Sequence, residues 1–163
     1  MKNMQWELIT NIILILSFII LGVFVILAIY QWITRKSFMK IDRQLRWMPL
    51  PLALMTITYF IFDKLIILNT RPNGSGESSF PSTHAMIVTT IFFVAIIVLP
   101  KYIKSRAIRI ILDIIMFILV ALTCTGRVLS NMHWPLDVFG AIGFALIFSE
   151  IYLIVIKIKR KKK

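Results

Sequence analysis

This sequence predicts an all-α protein, a polytopic membrane helix bundle with five transmembrane helices. Three observations carry that expectation. Of the 163 residues, 59% are hydrophobic and the mean hydropathy is +0.87, values outside the soluble globular range. The apolar residues fall into five long runs, each near the roughly 20 residues needed to cross a bilayer core. Most basic residues are gathered in three blocks between or after those runs. The blocks are Arg35, Lys36, Lys40, Arg43 and Arg46; Lys101, Lys104, Arg106 and Arg109; and Lys157 with Lys159 to Lys163. Such blocks mark cytoplasmic helix ends and attract anionic headgroups. The net charge of +12 therefore reads as membrane topology. It does not read as a nucleic-acid face, because no soluble element interleaves basic residues with stacking aromatics. The length suits a single membrane-embedded domain over 1–163. A lone Cys124 excludes an intramolecular disulfide and any multi-cysteine metal site.

The first span is expected over about 8–33. It is longer than a bilayer core requires, so it is read as tilted. No small-x-small cleavage site follows it, which argues against a signal peptide. A basic segment, 34–47, alternates charges with Phe38, Met39, Ile41, Leu45 and Trp47, and part of it is expected along the interface. The second span is read over 50–69, with Pro49 and Pro51 at its start, where missing amide donors cost least. A polar loop over 70–80 follows, broken by Pro72, Gly74 and Gly76. The third, fourth and fifth spans are expected over 82–99, 107–128 and 136–156. Placing the basic blocks in the cytoplasm puts the C-terminus there. It puts the loops at 70–80 and 129–135 outside, together with the N-terminus.

Three polar clusters stand out from the apolar background. Lys64 is followed by Arg71-Pro72, then Pro81-Ser82-Thr83-His84, then Arg127 with His133 and Asp137. Together they offer three cations, two imidazoles, a hydroxyl and a carboxylate, a set suited to gripping a phosphate and breaking its ester through a histidine. If helix continues to Arg71, Lys64 and Arg71 share one face and Lys64 lies about 10 Å deeper. Lys64 reads either as a phosphate ligand or as a snorkelling lysine paired with Asp63. Arg71 suits a forked grip on phosphate oxygens. Pro81 suits a first helical turn whose free amides, with the Ser82 hydroxyl and the amides of Thr83 and His84, face an anion. The alternative is an ordinary Ser/Thr cap. Asp137 lies in the first turn after Pro135. There it is expected to hold one nitrogen of His133 and leave the other free to attack. The alternatives for His133 are an interfacial histidine beside Trp134 or half of a two-histidine metal site, for which Asp137 alone supplies too few further ligands. Glu77 reads as a loop acid that is either inert or tunes specificity.

The spacing Lys-x6-Arg-Pro, Pro-Ser-x-His and Gly-Arg-x5-His-x3-Asp resembles the type 2 phosphatidic acid phosphatase family, integral-membrane lipid phosphatases related to vanadium haloperoxidases. The resemblance covers 64–137. It implies that His133 attacks phosphorus to form a phosphohistidine, oriented by Asp137. It implies that His84 protonates the leaving group and that Lys64, Arg71, Ser82, Thr83 and Arg127 hold the phosphoryl oxygens. No metal and no cofactor are implied. The expected substrate is a membrane lipid phosphate or diphosphate, such as undecaprenyl diphosphate, phosphatidylglycerol phosphate or phosphatidic acid, met at the extracytoplasmic face. Phosphotransfer to another lipid and non-catalytic lipid-phosphate binding are the alternatives. The family usually has glycine at the position of Thr83, serine at that of Gly126, and six spans. With five here, the core is left open to completion by a second protomer as a homodimer.

Overall fold

The computed structural model describes residues 4–158; Lys2 and the basic stretch at 159–163 lie outside the described residues. Five stretches are long and apolar enough to cross a membrane: Met4–Arg35, Arg43–Leu65, Thr83–Lys101, Arg106–Leu129 and Pro135–Lys157. Helix α1 (Met4–Arg35) is about 48 Å long at 1.5 Å per residue, more than a bilayer core. The basic segment then folds into a single 3-10 turn (Phe38–Lys40) and a short helix α2 (Arg43–Trp47). Its apolar residues divide. Ile41 and Leu45 are buried, while Phe38, Met39 and Trp47 are exposed. Helix α3 (Pro49–Phe60) has proline in its first turn, as expected, and ends in a π-helical turn, Ile61–Leu65.

The second span thus stops at Leu65, not at 69, and the chain from 66 to 69 has no regular structure. β-Branched Ile66 and Ile67 give little support to another turn, and Pro72 biases Arg71 away from helix. The loop that follows folds back on itself. Thr70 pairs antiparallel with Ser78, the Arg71 amide donates to the Glu77 carbonyl, and Gly74 and Gly76 turn the chain at positive φ. The last three helices are α4 (Thr83–Val98), α5 (Arg106–Leu129) and α6 (Pro135–Lys157).

Helix α4 is the most buried span and packs against α1, α3, α5 and α6. In lipid, apolar surface gains little by leaving the tails, so close van der Waals packing through small residues must hold helices together. Ala85 and Ala95 on α4 and Ala141 and Ala145 on α6 are almost wholly buried, and they let these two backbones approach. Gly126 on α5 does the same for α1: a side-chain carbon there would meet Thr10 at 2.6 Å and Trp6 at 3.2 Å. A larger residue at Gly126 would have to push α1 away. Several hydroxyls within the spans return their protons to the backbone, as Ser17 to Leu14, Thr123 to Leu119 and Ser149 to Ala145.

Candidate active site

The N-termini of α4 and α6 meet at one end of the bundle, where the Ser82 amide donates to the Asp137 carbonyl at 3.0 Å. Two helix N-termini side by side concentrate positive potential and free amides. Arg127 joins them from the last turn of α5 with 2% of its surface exposed. The chain after α5 reverses through Asn131, at φ 58. The Arg127 carbonyl then accepts from the amides of Met132 and His133, both at 3.2 Å. That wrap sets His133 beside Arg127. His84, His133, Arg127 and Arg71 all lie close enough to interact electrostatically. Groups 43 to 62 positions apart in the sequence therefore share one end of the molecule.

His133 is held differently from expectation. Its Nδ1 donates to the Ser79 carbonyl at 2.9 Å, while Asp137 Oδ2 lies 3.7 Å away. Asp137 instead accepts from the Ser79 hydroxyl and from the Trp134 amide at 2.8 Å, closing the first turn of α6. Ser79 therefore stands between the two, its hydroxyl on Asp137 and its carbonyl on His133. A carbonyl can only accept, so Nδ1 carries the proton in this bond and Nε2 keeps its lone pair. Burial first, then the charges of Arg127 and Arg71, push the imidazole from 6.5 down to about 3 against the opposing pull of the Ser79 bond. The lowered value favours a neutral ring at ordinary pH.

Ser82 stands before α4 but does not cap it with its side chain. Its buried Oγ, Arg127 Nε and Asp137 Oδ1 have no hydrogen-bond partner among the described residues. Buried polar atoms are rarely left so, and their clustering here suits an anionic ligand for Ser82 and Arg127. Thr83 opens the helix beside Ser82 and is half-buried. His84 is also half-buried, and its Nε2 meets Asn11 Oδ1 on α1 at 3.0 Å.

Lys64 and Arg71 do not share a helical face, because helix ends before Arg71. Both line a polar cleft of about 430 Å³ with Asp63, Glu77 and Ser78. Lys64 is not deep: its side chain is 62% exposed and its ammonium sits 2.7 Å from Asp63. Arg71 is engaged by Glu77 at 2.6 Å. Glu77, read as inert or tuning, thus holds the guanidinium that a phosphate would need.

Asn11 and Ser79 were missed by sequence reasoning. An asparagine in an apolar first span carries a usable signal, since a polar side chain in lipid needs a partner. Ser79 carried none, because its carbonyl does half the work. The loop bearing it is pinned by Phe80, which packs edge-on to Phe62 and lies against Gly140 so closely that a side-chain carbon there would overlap the ring. Trp134 Nε1 adds a bond to the Thr70 carbonyl at 3.0 Å.

Fold and site together define a multi-pass membrane protein whose buried polar end suits an anion. The PAP2 superfamily model matches residues 56–160, and the chain belongs to that superfamily. The crystal structure of the first transmembrane PAP2 type phosphatidylglycerolphosphate phosphatase from Bacillus subtilis is similar over 99% of this chain and 82% of its own, with TM-score 0.73 and 20% sequence identity. At that identity the likeness speaks for the fold. No curated protein gives a significant match. The family match begins at 56, so α1 with Asn11 lies outside it.

Proposed function

We propose that this chain is a single-domain, metal-independent lipid phosphatase acting through His133. Membership of the PAP2 superfamily and likeness to a lipid phosphatase fold support hydrolysis of a lipid phosphate. The observation that carries the mechanism is the Nδ1 bond of a neutral, buried His133 to Ser79, which leaves Nε2 as the attacking atom. Nε2 forms a bond to phosphorus as the bond to the lipid oxygen, or to the leaving phosphate, breaks. His84 gives that oxygen its proton. Arg127, Arg71, Ser82, Thr83 and the first amides of α4 stabilise the charge on the phosphoryl oxygens, with Lys64 at the entrance. Water then displaces the histidine, and His84 recovers a proton. Phosphatidylglycerol phosphate, phosphatidic acid and undecaprenyl diphosphate all fit this chemistry.

The histidine end lies opposite the basic blocks at 35–46 and 101–109, which supports an extracytoplasmic site and a cytoplasmic C-terminus. A homodimer would cover the bundle surface that five spans leave open; cross-linking in membranes that traps monomers alone removes that part. Phosphate release from the three lipids, with EDTA and no acceptor, tests the whole reading. His133→Ala should lower turnover roughly ten-thousand-fold. Full turnover in that variant would overturn His133 as the nucleophile, absence of phosphate release from wild type would leave only lipid-phosphate binding, and a strict need for an acceptor would mean phosphotransfer.

A further inference from the structure

The opposite end of the bundle carries a second charged cleft. His84 opens α4 and Tyr102 follows its last turn, so the two ends are about 27 Å apart. Here a cavity of about 800 Å³ is lined by Arg43, Arg46, Trp47, Phe38, Met39 and Val155. A narrower apolar groove of about 280 Å³ runs on from it along α1, past Val25, Ile29 and Trp32, and the two share Phe38 and Arg46. Arg43 gives one N–H to the Val155 carbonyl at 2.6 Å, one of the last carbonyls of α6. Arg46 gives one to the Met39 carbonyl at 2.7 Å. Each guanidinium has further donors. The Nε of Arg43 is buried and has no partner among the described residues. The nearby carboxylate, Asp42, is already engaged by Arg35, Gln31 and Tyr102.

We propose that this cleft binds one anionic phospholipid, with its headgroup phosphate on Arg43 and Arg46 and an acyl chain in the groove along α1. Charge complementarity selects the occupant. Two arginines flanked by Arg35, Lys36 and Lys40 favour an anion, and the apolar continuation favours a lipid over a free one. The chain's own continuation after Ile158 is wholly cationic and matches the cleft poorly.

Native mass spectrometry of the full chain, released from detergent with equal phosphatidylglycerol and phosphatidylcholine of the same acyl chains, tests this. Wild type should retain one phosphatidylglycerol over phosphatidylcholine by about tenfold, and Arg46→Gln should reduce that about fivefold. Lys104→Gln, an equal charge change at the same end, and Arg127→Gln, at the histidine end, should leave the preference intact. Equal loss in Lys104→Gln would mean unspecific attraction, and loss in Arg127→Gln would move the lipid to the other end. Either result overturns the proposal, as does absence of preference in wild type or displacement by free glycerol phosphate. Arg46→Gln and the wild-type ratio keep the test valid if Arg43→Gln, which also frees the Val155 carbonyl, fails to fold.

Discussion

The two ends of the bundle treat buried polar groups in opposite ways. At the basic end, Asp42 accepts from Arg35 at 3.0 Å, from Gln31 at 2.9 Å and from Tyr102 at 2.9 Å, while its own amide donates to Gln31 Oε1. Burial alone would raise this carboxyl, but those three bonds outweigh it and hold it below its ordinary 3.8. Burial and the Asp42 bond in turn push the Tyr102 phenol up to about 12. The network closes on itself and ties α1, the 3-10 turn and the end of α4 together. At the histidine end, Ser82, Arg127 and Asp137 each keep a polar atom unmatched among the described residues. A closed network fixes structure, whereas an open one stores binding capacity for a ligand. Among the described residues at the basic end, Arg43 Nε also lacks a partner, and it lies in the proposed lipid cleft.

This contrast can be broken or sharpened by substitution. Short of removing His133 itself, the largest effect is expected from Gly140→Ala, which drives a carbon into Phe80 and shifts the adjoining Pro81-Ser82 and Ser79. A displacement near 1 Å there should lower phosphate release about a hundredfold. Gly143→Ala, with open space around it, should keep full activity in the same assay. Asn11→Ala should lower kcat about tenfold with little change in KM, since it frees His84 without touching the phosphate ligands. Asn11→Asp keeps an acceptor and should recover most of the rate; a plain packing role for Asn11 would leave the kcat-to-KM pattern without that rescue.

At the closed end the readout changes. Asp42→Ala should cost about 2 kcal/mol in denaturant or thermal unfolding while kcat/KM holds. A drop in activity that matched the stability loss would mean that the two ends are coupled. The smallest effect concerns pH. His133 binds its proton near 6.5 when unfolded and near 3 when folded, so the unfolded state holds more protons between those values. Its contribution is complete above 6.5 and is lost as pH falls from there toward about 3. Thermal unfolding of wild type should weaken across that window more steeply than that of His133→Ala.

The sequence by itself determined five spans, their order and the clustering of basic residues, because lipid imposes length and polarity on a chain residue by residue. It also offered His84, His133, Arg127 and Asp137 as partners, since few other reasons place such groups in apolar surroundings. Where helix α3 ends was legible only in part, and so the Lys64–Arg71 face failed; a π-helical turn has no strong sequence signature. Only the tertiary structure decided that Ser79 stands between Asp137 and His133, that Asn11 reaches His84 from the first span, and that Glu77 holds Arg71. Those contacts join residues from 6 to 73 positions apart. They use backbone carbonyls and loop geometry, which packing fixes and side-chain identity does not announce.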